Sequence, residues 1–440
     1  MAGEIEKRSF MCSMKKKSSL AALLPIGVFL VLFLGMGCIL GDFYSMPAIV
    51  GFLIALGVAF AQTRDIKFDE KIRIIAQGVG DENIISMCLI FLAAGAFSGA
   101  VTAAGGMDST VNFALSVLPP KVAVLGLMFI GCFISLSMGT SMGTIGALAP
   151  IAVGISEKTG FSMAVCIGAV VSGAMFGDNL SMISDTTIAA VRTQGCEMKD
   201  KFRENFKIVF PAAVAALLCY WFITRGGDVA LAEIGAYNLW QILPYVVVLV
   251  GALIGINVFL VLVAGTVLSV LVGLGTGTLT FATIFTGMGE GITGMYDITV
   301  ISIIVACIVA LVKRNGGIQY LLEFIHKRIK GAIGGEIGIA VLSVLVDMAT
   351  ANNTIAIIMA GPIAKEISQE YDISAKRSAS LLDIFASATQ GLIPYGAQIL
   401  LAAGATGLSP VEIIPYTFYP MIMMVSALIF MLFLRKSKQK

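Results

Sequence analysis

Phe176-Gly177-Asp178-Asn179-Leu180-Ser181-Met182-Ile183-Ser184-Asp185-Thr186-Thr187 is the stretch on which the reading of this chain turns. It sets two carboxylates seven residues apart inside an apolar region, with no Lys or Arg between them. A charged Asp at the centre of a bilayer costs about 2.5–3.5 kcal/mol on insertion scales, so an idle one is not expected there. The plainer reading is that Asp178 or Asp185 caps the helix that restarts after the break. Apolar segments joined by Gly, Asn, Ser and Asp describe a discontinuous helix. Such breaks survive at membrane depth only where protein or a polar cavity satisfies the freed backbone groups.

The rest of the chain puts that break in a bilayer. Of 440 residues, 58% are hydrophobic and 13% charged, and the mean hydropathy is +0.95. Soluble domains carry about 25% charged residues. A net charge of +2 is too small to suggest a nucleic-acid partner. The eight cysteines form no CxxC pair and read as small buried apolar residues. A single histidine, His326, leaves no His-based metal site, and there is no nucleophile–base pair or cofactor motif. Neither an enzyme nor a cofactor is expected. The basic segment Met1–Ser19 precedes an apolar run too long for a signal-peptide core, which reads as a first transmembrane helix.

Apolar runs of about 20 residues can span the hydrocarbon core. The candidates are Leu20–Gly41, Tyr44–Gln62, Ile84–Ala104, Ile208–Thr224, Trp240–Ile256, Val258–Leu274, Ile298–Val312 and Tyr416–Leu434. Between them lie two interrupted apolar stretches, Lys121–Ala190 and Ala332–Gly407, and these correspond. A shift of about 210 sets Gly105-Gly106 on Gly316-Gly317, and Thr140 and Thr144 on Thr350 and Thr354. A shift of 212 sets Pro150-Ile151-Ala152 on Pro362-Ile363-Ala364, Ser162 on Ser374 and Asp178 on Gln390. Lys and Arg collect on the cytoplasmic side of membranes. Here they crowd both tails, Arg64–Arg73, Arg192–Lys207, Lys313–Lys330 and Lys365–Arg377. The loops Gly41–Ser45, Gly105–Lys121, Glu157–Gly160, Arg225–Asn238 and Gly275–Asp297 hold few cations.

The expected fold is an all-α polytopic membrane protein with two inverted repeats of five transmembrane helices each, every repeat holding a re-entrant hairpin and a broken helix. Residues 1–19 form a cytoplasmic tail and 20–225 the first repeat, with its hairpin at 121–156 entering from outside and its broken helix at 162–192. Residues 226–239 form an extracytoplasmic linker. Residues 240–434 form the second repeat, with its hairpin at 332–368 entering from inside and its broken helix at 375–407, and 435–440 a second cytoplasmic tail. An odd number of crossings per repeat forces the inversion, and the even total returns both basic termini to the cytoplasm. Lys201–Lys207 and Ile318–Lys330 read as amphipathic helices at the interface, and Glu290 and Glu336 as interfacial residues.

The hairpin tips read Ser137-Met138-Gly139-Thr140-Ser141-Met142-Gly143-Thr144 and Asp347-Met348-Ala349-Thr350-Ala351-Asn352-Asn353-Thr354. A re-entrant tip exposes carbonyls, and short hydroxyl or amide side chains add oxygens of the kind a hard cation such as Na+ prefers. The plainer reading is that these hydroxyls satisfy their own helices and that Gly139 and Gly143 serve packing. At the second break, Ala388-Thr389-Gln390-Gly391-Leu392-Ile393-Pro394-Tyr395-Gly396-Ala397-Gln398, two glutamines replace the carboxylates. Asp347 and Asp383 precede the second tip and the second break. A carboxylate that takes either a proton or Na+ is an exchange mechanism in miniature. On this reading Na+ sits at Asp178, Thr140, Ser141 and Asn353, while Asn352, Asn353, Thr354, Gln390 and Gln398 form a second-half site.

Gly139-Thr140-Ser141-Met142-Gly143-Thr144 and Gly177–Thr187 resemble the paired signatures of the NhaC-type Na+/H+ antiporter family, within the wider ion transporter superfamily. Arg377, Leu382-Asp383 and Ile393-Pro394-Tyr395 resemble the family's second-half signature. The resemblance spans nearly the whole membrane region. It implies a homodimer in the cell membrane, with a scaffold domain and a moving transport domain. It also implies a cation- and proton-binding site lined by Thr140, Ser141, Thr144, Asp178, Ser181, Ser184, Asp185, Thr186 and Asp383. The chain departs from the family at Met142, where Trp is usual, at Met182, where Pro is usual, and at Asn352-Asn353, where an acidic residue often stands. The expected function is exchange of Na+ for H+ by elevator-like alternating access. The second reading, raised by the amide-rich second half, is Na+-coupled transport or exchange of a small organic acid or amino acid.

Overall fold

A computed structural model describes residues 18–40, 47–117, 119–182, 184–226, 235–254, 256–326 and 331–433. The expected C-terminal tail lies outside these residues, as do nearly all of the N-terminal tail and most of the linker. Every regular element among the described residues is helical. The first half runs α1 (Leu24–Leu40), α2 (Ala48–Gln62), α3 (Phe68–Val79), α4 (Glu82–Ala103), α5 (Gly106–Val117), α6 (Ala123–Met138), α7 (Ser141–Thr159), α8 (Met163–Leu180), α9 (Asp185–Gln194) and α10 (Met198–Thr224). The second half runs α11 (Leu239–Leu253), α12 (Val258–Thr276), α13 (Phe281–Gly294), α14 (Tyr296–Arg314), α15 (Gly317–His326), α16 (Gly331–Thr350), α17 (Asn353–Glu370), α18 (Ala375–Gln390), α19 (Ala397–Thr406), α20 (Pro410–Ile413) and α21 (Phe418–Phe433).

Six helices among the described residues are long and apolar enough to cross a membrane, or seven if one bent pair counts as a span. Their outer faces are apolar: Phe222, Leu260, Leu271 and Phe281 are 55–77% exposed. A water-soluble monomer does not present such a continuous surface, so this is a multi-pass membrane protein whose outer helices meet lipid.

The interior is built by the interrupted stretches. In α8, every residue from Ala164 to Leu180 except Phe176 is buried. In α18, every residue from Arg377 to Gln390 is buried, although six of them are Ser, Thr, Asp or Gln. Backbone landmarks recur 212 positions apart in the two halves, as 374 is from 162. Ser162 and Ser374 are N-caps of α8 and α18. Gly139 and Ala351 both have left-handed φ, 67° and 52°, at the turns α6–α7 and α16–α17. Gly195 and Gly407 both end a helix in left-handed geometry. At this shift the extended N-cap Thr140 matches the N-cap Asn352, rather than Thr350.

Four expectations are corrected. Gly275–Asp297, read as a loop, contains α13. Its glycines lower helix propensity, but they let α13 lie backbone-to-backbone on α4. A Cβ on Gly99 would stand 2.1 Å from the Gly287 carbonyl oxygen, and one on Gly95 2.4 Å from that of Gly291. Gly105–Lys121 contains α5 for the same reason that tertiary packing overrides weak local signals. Lys201–Lys207 is the start of the 27-residue α10, not a separate interfacial helix, and Lys201 is 1% exposed. Glu336 is buried, where the guanidinium of Arg377 donates to it at 3.0 Å.

Candidate ion-binding site

The α6–α7 turn aims its first helical residue at the α8 break. Gly139 supplies the left-handed φ that closes α6, and Thr140 caps α7 by accepting the Gly143 N–H at 3.4 Å. Ser141 then begins α7, and its hydroxyl donates to Asp178 Oδ2 at 2.7 Å. Asp178 lies in the last turn of α8, whose end is closed by the Ser181 N–H on the Gly177 carbonyl at 2.8 Å. After the break, Ser184 is the N-cap position of α9 and its hydroxyl donates to Asp178 Oδ1 at 2.6 Å. Thr186 lies 2.9 Å from the Ser184 hydroxyl, and the Gln398 amide donates to the Ser141 hydroxyl at 3.0 Å. One buried carboxylate is thus held by a hairpin tip and by the chain beyond the break, with the second break one hydrogen bond away. The N-terminal turns of α7 and α9 both meet it, and such turns favour negative charge.

A second cluster lies against the first. Asp383, fully buried in the middle of α18, forms an ion pair with Lys201 of α10. It also accepts from Asn179 at 3.1 Å, Asn205 at 3.3 Å and Ser387 at 3.3 Å. Lys201 donates further to the Asn179 carbonyl at 3.0 Å and to Thr187 at 2.8 Å. Asn179 follows Asp178 directly, so this network anchors the end of α8. In sequence, Lys201 and Asn205 had only a place in the amphipathic segment Lys201–Lys207, ahead of the apolar run that starts at Ile208.

The second tip is neutral. Asn352 caps α17 by accepting the Ile355 N–H at 3.0 Å, and Asn353 accepts the Thr354 N–H at 3.0 Å. Gln390 donates to the Ala351 carbonyl at 3.1 Å. Each of three buried amides therefore has one arm tied. The other arms, Asn353 Nδ2, Gln390 Oε1 and Gln398 Oε1, are buried without a hydrogen-bond partner among the described residues.

Of the residues singled out from sequence, Asp178, Ser141, Ser184, Thr186 and Gln398 come together. Thr140 and Asn352 serve as helix caps, and the Thr144 hydroxyl donates to the Thr140 carbonyl at 3.0 Å. Ser181 is buried at the break. Asp185 is exposed in the first turn of α9, the position of a helix-end charge rather than of a ligand in the buried cluster. Asp383 meets a lysine, which sequence did not anticipate.

A model of the Na+/H+ antiporter family matches residues 9–224 and 228–435. The chain is 22% identical over 436 residues to the malate-2H+/Na+-lactate antiporter of Bacillus subtilis, covering 90% of each protein. It is 24% identical over 383 residues to the Na+/H+ antiporter NhaC of the same organism, covering 78% of this chain and 84% of that one. It is 23% identical over 442 residues to the arginine/ornithine antiporter ArcD of Halobacterium salinarum, covering 92% and 90%.

Proposed function

This chain belongs to the Na+/H+ antiporter family, and from that premise we propose that it exchanges Na+ for H+ across the cytoplasmic membrane by elevator-like alternating access. The observation that carries the proposal is Asp178, a buried carboxylate bound by two hydroxyls from either side of a helix break. Na+ binds there as a replacement for a proton, with Ser141 and Ser184 turning their oxygens to the cation and with Thr140 and Asn353 contributing from the two tips. Binding either ion neutralises Asp178, and a neutral site can move through the membrane interior. Asp383 is balanced internally by Lys201, so it fixes the end of α8 beside the site. The interrupted helices α6–α9 and α16–α19 form the moving domain, carried by two repeats of opposite orientation. The outer helices form a scaffold, and two copies form the working dimer.

The test is Na+-dependent collapse of a pH gradient in proteoliposomes of purified protein. Wild type is expected to collapse it, and Asp178→Asn is expected to be inactive. An Asp178→Asn protein that still exchanges normally would sink the assignment.

One observation favours a second reading, Na+-coupled transport or exchange of a small organic acid or amino acid. The three free amide arms near the breaks offer one donor and two acceptors in buried surroundings. Two of the similar antiporters are named for organic solutes. Solute-dependent Na+ uptake without a pH change is the result that selects this reading.

A further inference from the structure

We propose that Asp347 is a second proton-binding site, separate from Asp178, whose protonation holds the α16–α17 hairpin closed. The proposal rests on the Na+/H+ exchange reading. Asp347 lies in the last turn of α16 and is fully buried. Neither carboxylate oxygen has a hydrogen-bond partner among the described residues. The other buried carboxylates among the described residues are engaged: Asp178 by two hydroxyls, Asp383 by Lys201, and Glu336 by Arg377. A bare anion in such surroundings is strongly disfavoured, whereas a neutral carboxylic acid is tolerated.

The position equivalent by the 212-residue shift is Ser135 on α6. Its hydroxyl donates to the Ala174 carbonyl of α8 at 2.5 Å. The first half places an O–H donor there, and only the protonated form of Asp347 supplies one. Asp347 also sits where tip and break meet. Its carbonyl accepts the N–H of Ala351, the left-handed residue of the tip, at 2.7 Å. The Tyr395 hydroxyl, from the second break, donates to the neighbouring Met348 carbonyl at 2.7 Å.

Among the described residues, no ion pair or hydrogen bond links the Asp347 carboxylate to a countercharge. Tyr395 is within electrostatic reach of it. On the helices packed against α16, Asp383 pairs with Lys201, Arg377 with Glu336 and Glu204, and Arg314 with Asp65. Glu323 accepts from Ser18 and Gln319, and Cys307 and Tyr419 are uncharged side chains. Lys365, Glu366, Glu370 and Lys376 are exposed. When the O–H bond of Asp347 breaks and the proton passes to water, the remaining anion draws water to the tip and parts it from the break. The empty or loaded site then cannot occlude until the proton returns.

The experiment is exchange of radioactive Na+ for Na+ in proteoliposomes with equal pH on both sides, which needs no net proton flux. Wild type is expected to show an acid limb, from protons competing at Asp178, and an alkaline limb. Along the alkaline limb the rate falls about tenfold per pH unit, as the protonated fraction does. Asp347→Asn, which mimics the neutral acid, and Asp347→Ser, which copies Ser135, are expected to keep the acid limb and lose the alkaline one. A wild type that exchanges Na+ without an alkaline limb overturns the inference, as does an alkaline limb that persists in Asp347→Asn. Inactivity of both variants at every pH overturns it too, since Asp347 then belongs to the Na+ path or to the fold. A wild type that exchanges no Na+ at any pH refutes the exchange reading itself, and this inference with it.

Discussion

Asp178 and Asp383 are both buried carboxylates, yet they stand in different chemistry. Asp178 meets neutral hydroxyls, so its charge stays available to a mobile cation. Asp383 meets Lys201, so its charge is already answered. Removing one member of a buried ion pair leaves the other uncompensated, at a cost of about 3–5 kcal/mol. Lys201→Met is therefore expected to lower thermal stability in detergent strongly, and adding Asp383→Asn to restore most of the loss. Additive losses in the double variant contradict this account. Ser141→Ala and Ser184→Ala each remove one hydroxyl from Asp178. A hydrogen bond to a charged group is worth about 1.5–3 kcal/mol, so each variant is expected to weaken apparent Na+ affinity by about tenfold or more. Affinity is read from the Na+ dependence of exchange. Unchanged affinity in both places Na+ elsewhere. Asp178 was legible in sequence because a carboxylate in an apolar run has few explanations. Lys201 was not, because a lysine in a basic amphipathic segment ahead of an apolar run reads as a residue at the membrane surface.

Hairpins and breaks were legible as elements because Gly, Ser, Asn and Pro interrupt apolar runs at matching spacing in both halves. Which residue caps each tip was less so. Identity of residue type favoured Thr350 as the partner of Thr140, whereas the backbone matches Thr140 with Asn352. Capping needs a short side-chain acceptor in extended geometry, and Thr and Asn meet that need equally. Helix α13 was hidden for the opposite reason. Its glycines read as a loop, and their use appears only when α4 is laid against them. Gly99→Val is expected to force this crossing apart and to cost about 1–3 kcal/mol. Gly289→Ala, on α13 but with open space around its Cβ position, is expected to leave the melting temperature unchanged or slightly raised. Equal melting temperatures for wild type and Gly99→Val contradict the close crossing.

For the whole molecule, the proposed inversion makes a prediction about sides. The turn after α7 and the turn after α17 occupy equivalent places in the two halves, so they should face opposite sides of the membrane. Cysteines at the exposed positions Glu157 and Glu370, in a background lacking reactive native cysteines, are expected to label from outside and inside respectively with an impermeant maleimide. Labelling of both from one side refutes inverted repeats. The sequence by itself determined the solvent, the family and the interrupted stretches, and it singled out Asp178. Composition, spacing and the energetic penalty on an isolated charge in lipid are properties a linear chain carries. Only the tertiary structure decided that Asp383 is neutralised, that Gln398 reaches Ser141 from the other half, that glycines make a helix crossing, and that the Asp347 carboxylate has no hydrogen-bond partner among the described residues. These depend on which side chains meet across two hundred residues of chain. Whether a buried charge is answered or left open is set by that meeting and not by its neighbours in sequence.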